Sequence, residues 1–304
     1  MRRLQIKHVT TYQYAETVTL LPHKLLLHPR EGHDVRIESN DLAIYPAHDL
    51  RWQRDVYDNT VAVATFTEPG NRLCIDSRIV LQHYDDRPLD FWVADHAVRY
   101  PFLYDPAEYA DLCAYILPIY SPAEPLVNTW LQAFWQPGQG VETYVLLDRI
   151  NRAIARDFTY RQRDEPGVQT PATTLAKRAG SCRDFAALFC ESCHYLGLAA
   201  RFVSGYQCSP LYARGLGATH AWSEVYLPGA GWKGFDSTNG QLVGNEHIVL
   251  AVGRHPESVP PVSGSFLAAT RQSPVMQVVV EVAEIPDGIA SAAEVDDLPR
   301  VQPV

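Results

Sequence analysis

Between Arg3 and Tyr14 the chain alternates with a period of two: Leu4, Ile6, His8, Thr10, Tyr12 and Tyr14 fall on one side, Arg3, Gln5 and Lys7 on the other. That pattern fits a strand with one buried face and does not fit a helix, whose period is near 3.6. A half-buried strand needs partners. The runs VTLLPHKLLLHP, VRIES, LAIYP, NTVAVATFTEP and RLCIDSRIVLQ follow, separated by turn formers such as Asp58-Asn59 and Pro69-Gly70-Asn71. Short strands at this spacing predict an antiparallel β-sandwich over residues 1–85.

The pattern then changes. Residues 86–124, rich in aromatics and prolines (RPLDFWVADHAVRYPFLYDP), read as a connector. Val145, Leu146, Ile150 and Ile154 stand at helical spacings, and Pro166, Gly167 and Pro171 mark a loop beyond them. A second helix is predicted from Ser181, an N-cap residue type, to Gly197, a C′ residue type. Its stripe is Phe185, Leu188, Phe189, Ser192, Cys193 and Leu196. Strand-like AARFVSGYQ, ATHAWSEVYLP, GWKGFD, HIVLAVG and VMQVVVEVAEI follow, and the acidic, proline-containing residues 285–304 read as a frayed tail. The whole is an α+β chain: the sandwich, the connector, and a core over 125–284 with helices packed on an antiparallel sheet.

Composition narrows the function. Across 304 residues there are 26 basic and 35 acidic side chains, a net charge of −9, so no electrostatic footprint for nucleic acid or an anionic membrane is present. No run approaches the roughly 18 apolar residues of a membrane span, and MRRLQIKHVTTYQYAE lacks the apolar stretch of a secretory signal. These features predict a soluble, cytoplasmic protein whose six cysteines are free thiols. Cys190-Glu191-Ser192-Cys193-His194 matches the C-x-x-C-H pattern of covalent haem attachment. The pattern falls in mid-helix of a chain without a signal, and both cysteines are read as small core hydrophobes. A structural zinc site would need four ligands, yet no second C-x-x-C exists, and His23, His28 and His33 lie in the other predicted unit.

The cysteine with chemical promise is Cys182, in GSCRDF, in the first turn of the predicted helix. Unsatisfied backbone N–H groups and the positive end of the helix dipole stabilise an anion there, the setting of an activated thiolate. His220 sits on an alternating strand in THAWSEVYL, and Asp236 ends a short strand in GWKGFDSTN, where its carboxylate reaches a ring on the next strand. Together they supply a nucleophile, a general base and a group that orients the base. Backbone N–H groups at the helix start would hold the oxyanion. Tyr160, Gln169 and Trp222 are the candidates for further oxyanion or substrate contact.

The ordered motifs GSCRDFAALF, LGLAARFVSGY and THAWSEVYLPGAGWKGFDSTNG resemble the bacterial transglutaminase-like family, a branch of the papain-like superfamily with a Cys-His-Asp triad. HVTTYQY, LLLHPR and DVYDN resemble the β-sandwich that precedes its core, so residues 1 to about 270 are covered. The resemblance implies Cys182 as nucleophile, His220 as base, Asp236 as its partner, no cofactor, and acyl transfer through a thioester. Two departures stand out: Ser237 follows the aspartate where proline is frequent, and GRHPESVPPVSG replaces the usual Arg-Asp-Tyr, which leaves open whether Arg254 and His255 face substrate. The expected activity is hydrolysis of peptide or isopeptide amides. Its alternatives are protein-glutamine transglutamination, with an amine as acceptor, and a non-catalytic protein-binding module. The loop at 208–218 is expected to shape specificity.

Overall fold

A computed structural model describes residues 1–84, 87–120, 125–163, 165–208 and 218–286. Six strands come first: β1 (Arg2–Leu20), β2 (His23–Leu25), β3 (Val35–Tyr45), β4 (His48–Arg54), β5 (Thr60–Phe66) and β6 (Gly70–His83). The period-two face of β1 is buried as predicted: Leu4 and Ile6 are wholly inaccessible, and His8, Thr10 and Tyr14 are buried beside them. β1, β6 and β3 form one antiparallel sheet; β2, β5 and β4 form another. Tyr14, Leu20, Leu73 and Ile75 from the first meet Leu25 and Ala62 from the second in one apolar core. This is the antiparallel sandwich. VRIES and LAIYP prove to be one strand, with a register shift between Ile37 and Ser39.

Beyond it lie β7 (Arg99–Tyr100), α1 (Pro106–Ile116), α2 (Pro125–Leu131), β8 (Val141–Glu142), α3 (Thr143–Asp157), β9 (Thr159–Tyr160), α4 (Pro171–Lys177), β10 (Ala179–Gly180) and α5 (Cys182–Tyr195). The expected connector thus contains a helix, α1. A five-stranded antiparallel sheet follows, built from β11 (Ala200–Gln207), β12 (Ala218–Leu227), β13 (Gly231–Asp236), β14 (Gln241–Leu242) and β15 (His247–Gly253), in the order β14-β13-β12-β11-β15. Helix α5 packs on it, with Phe189 stacked on Phe235 at 5.3 Å. Burying each such ring or leucine contributes about 1.5–3 kcal/mol. Every side chain from Asp184 to His194 is buried, so α5 is an internal helix rather than one with a single apolar stripe. It ends at Leu196, where the N–H groups of Gly197 and Leu198 bond to the carbonyls of His194 and Cys193, and Gly197 takes φ +71°.

The last strands depart from the sequence reading, which placed 125–284 in the core. β16 (Val262–Ser263) pairs with β2, β17 (Phe266–Leu267) with β1, and β18 (Val275–Glu284) with β1 from Gln13 back to Leu4. The chain therefore returns to the sandwich it started from. The sandwich also packs on the core sheet: Leu4, Ile6, Ile79, Leu81, Val280 and Val282 enclose Tyr206, Ile248 and Leu250. Residues 209–217, which make up nearly all of the expected specificity loop, and 287–304 of the expected tail lie outside the described residues.

Candidate active site

The start of α5 is fastened by one carboxylate. Asp184 accepts from the Ser181 N–H (2.8 Å) and hydroxyl (2.9 Å), from the Gln169 N–H (2.8 Å) and side-chain amide (3.1 Å), and from Arg163 (2.7 Å). Burial opposes its charge, but these bonds outweigh it and hold the carboxyl below its ordinary range. A Cβ at Gly180 would lie 2.8 Å from Asp184 Cβ, so only glycine fits the approach. The result is a partly exposed Cys182 as the first helical residue, where the backbone N–H has no intrahelical partner.

Strand pairing brings the other two residues to it. β12 carries His220, and β13 ends at Asp236 beside it. His220 Nε2 lies 3.0 Å from Asp236 Oδ2, and His220 lines the same cleft as Cys182. Burial pushes the His220 pKa down, but the bonds to Asp236 and Cys182 lift it well above the usual imidazole value. Asp236, with no exposed surface, is held as a carboxylate against its own burial by bonds from His220 and His247, which depress its pKa strongly. Its Oδ1 accepts from the Thr238 N–H (2.9 Å). Ser237, at the position of the family's frequent proline, donates to Asn151 Oδ1 at 2.8 Å and ties the end of β13 to α3.

A cleft of about 580 Å³ opens over this group, lined by Cys182, Arg183, His220, Phe202, Glu257 and Pro260 among others. Trp222, expected as a substrate contact, has no exposed surface; it shares its strand face with His220 but lies two residues further along, edge-on to His247 at 5.2 Å. Gln169, expected as an oxyanion donor, is buried, and its amide is committed to the Ala179 carbonyl (3.1 Å) and Asp184. Tyr160 is half exposed beside the helix start, on β9 paired with β10, and lies outside the cleft lining. Arg254 does not face the cleft. It donates to the carbonyls of Ala114, Leu117 and Pro118 at the end of α1, while His255 Nδ1 accepts from the Glu257 N–H.

The haem-like pattern is resolved by packing. Cys190 and Cys193 are buried, and burial pushes the Cys190 thiol up to about 12 and the Cys193 thiol well above the ordinary value. His194 has both ring nitrogens engaged, by Glu191 (3.0 Å) and the Ala200 carbonyl (3.1 Å).

Sequence reasoning missed His247. Its Nε2 is 3.1 Å from Asp236 Oδ2, and a lone histidine opening a strand gives no warning of that. His220, Asp236 and His247 bring their ligand atoms within 4.8 Å of one another, a donor set that zinc also uses. The surroundings argue against a cation. Oδ2 also accepts from Asn239 Nδ2 (2.7 Å) and Gln207 Nε2 (3.4 Å), and an amide nitrogen has no lone pair to turn toward a metal. Converging N–H donors are the shell of an anion.

Comparison with known proteins agrees with this architecture. The sequence profile of the bacterial transglutaminase-like N-terminal region matches residues 4–82, and that of the transglutaminase-like superfamily matches residues 139–237. Uncharacterized proteins of Mycobacterium tuberculosis and Mycobacterium bovis are each 33% identical over 311 residues, covering 92% of both chains. A structure described as a "putative cysteine protease" from Cytophaga hutchinsonii superposes with a TM-score of 0.71 at 19% identity, over 95% of this chain and 92% of that one. Fold and profile together define the class as the transglutaminase-like superfamily. Within it, this chain belongs to the bacterial transglutaminase-like family, in which the core follows a dedicated N-terminal sandwich. Among the described residues no helix is long and apolar enough to cross a membrane.

Proposed function

We propose that the protein is a cysteine amidase or peptidase that hydrolyses peptide or isopeptide amides, with Cys182 as nucleophile, His220 as acid–base and Asp236 as its orienting partner. The placement of Cys182 and His220 on one cleft, with Asp236 hydrogen-bonded behind His220, carries this reading. With Nε2 occupied by Asp236, Nδ1 is the nitrogen left for the thiol. Sulfur attacks the amide carbonyl with the proton of the Cys182–His220 pair already held on the ring, and the oxyanion that forms is met by N–H groups at the start of α5. The C–N bond then breaks, His220 returns the proton to the leaving amine, and an acyl thioester remains on Cys182. Water, deprotonated by His220, attacks the thioester, releasing the acid and restoring the thiol. The raised His220 pKa suits a group that must hold the proton until the amine leaves.

Screening a peptide library for amide cleavage, with Cys182→Ala as control, tests the proposal. Cleavage by the wild type and a loss of at least about 10³-fold in the variant are expected; equal turnover by both would overturn it. Incorporation of a labelled primary amine in place of hydrolysis would move the reading to transglutamination. Peptide capture by Cys182→Ala without wild-type turnover would leave a binding module.

A further inference from the structure

We infer that His247 is a positioning residue of this site: it donates to the carboxylate oxygen of Asp236 that serves His220 and keeps that oxygen charged and aimed. This inference rests on the Cys182–His220–Asp236 reading. Three observations carry it. His247 Nε2 and His220 Nε2 converge on the same atom, Asp236 Oδ2, at 3.1 and 3.0 Å. The other ring nitrogen, Nδ1, accepts the Gly244 N–H at 3.4 Å, so Nε2 is the N–H that faces the carboxylate. The ring itself is fixed, 3% exposed, with Trp222 edge-on against it.

The backbone of His247 is tied down from the other direction. Its carbonyl accepts from His83 Nε2 at 3.2 Å, and His83 belongs to β6 of the sandwich. The N-terminal unit thereby reaches within one residue of the proposed catalytic carboxylate. The titratable groups that elements packed on this cluster turn toward it are Cys182 from α5, His220 from β12 and His83 from β6; β11 presents the amide of Gln207.

Loss of the His247 donor leaves a buried carboxylate less well solvated by the protein, so it takes up a proton more readily as pH falls. The imidazolium of His220 then loses its counter-charge at the acid end, whereas at alkaline pH the carboxylate stays ionised and little changes. The test is the alkylation rate of Cys182 by iodoacetamide, read by peptide mass spectrometry over about pH 5–9, in the wild type and three variants. His247→Gln keeps an N–H donor that reaches Oδ2. His247→Met fills the space without a donor, and His247→Asn, one bond too short, is the fallback where Met does not fold.

The expected result is a wild-type rate that stays high to the acid end, a loss in the Met or Asn variant that deepens as pH falls from about 8.5 to about 5, and recovery in Gln. A uniform loss at all pH values, or no loss, would overturn the positioning role while leaving the activated pair intact. A wild-type Cys182 that reacts as an ordinary thiol, titrating near about 8.5, would instead remove the pair and this inference with it.

Discussion

At the residue scale, the site depends on which cysteine stands at the end of the helix and which are inside it. Cys182, Cys190 and Cys193 share α5, yet only the first is partly exposed beside a histidine. The buried carboxylate behind His220 makes a further prediction. In Asp236→Asn the imidazole loses its counter-charge while its burial remains, so an NMR titration should place His220 at or below about 6.5, whereas the wild-type ring holds its proton well above that value. An unchanged titration in the variant would show that Asp236 does not support the base. Cys182, His220 and Asp236 were legible because each sits in a motif with a recognisable place: a helix start, an alternating strand, a strand end. His247 was not, since one histidine opening a hydrophobic strand has the signature of any buried polar residue. Trp222 and Gln169 were misplaced for a related reason: sequence gives a strand's face and a loop's place, but not which side chains packing covers, and Trp222 is enclosed on the face it shares with His220 while Gln169 is drawn inward to Asp184.

At the scale of elements, the legible ones were those with a buried face on a regular period. β1 and α3 each bury a repeating set of side chains, and their patterns stood out. α1 buries only Leu112, so PAEYADLCAYI shows no stripe, and β4, an edge strand with mostly exposed side chains, shows no alternation. The two glycines that bracket α5 act by different means. At Gly180 a methyl group would press on Asp184, whereas at Gly197 nothing lies within 4 Å and the constraint is the positive φ alone. Gly180→Ala is therefore expected to destabilise by about 1–3 kcal/mol and to slow Cys182 alkylation as the helix start shifts. Gly197→Ala should destabilise by about 1 kcal/mol and leave that rate unchanged. Urea unfolding with parallel alkylation checks both, and equal rate effects would show that Gly180 does not place the thiol.

At the scale of the whole molecule, the sandwich and the core meet through a buried polar contact in an apolar interface. His8 Nδ1 is 2.8 Å from the Tyr206 hydroxyl and Nε2 is 2.9 Å from Thr10 Oγ1, inside the cluster that joins β1 and β18 to β11 and β15. Burial lowers the His8 pKa to about 4. Because the unfolded chain binds the proton more readily, folding stability is full above about pH 6.5 and falls as pH drops toward about 4. The loss from this group approaches about 3 kcal/mol. Urea unfolding in wild type and His8→Gln across that range measures it: the wild-type curve should fall more steeply, and parallel curves would show that burial does not lower the His8 pKa.

The return of β18 to β1 gives the protein an order of assembly. The ribosome emits β1 long before β18, and the two are hydrogen-bonded from Leu4 to Gln13. Every part of the proposed catalytic group precedes β18 in the chain, so one flank of β1 waits for its neighbour until the core has been made. The first sheet is thus closed only after the segment that follows the core has been made.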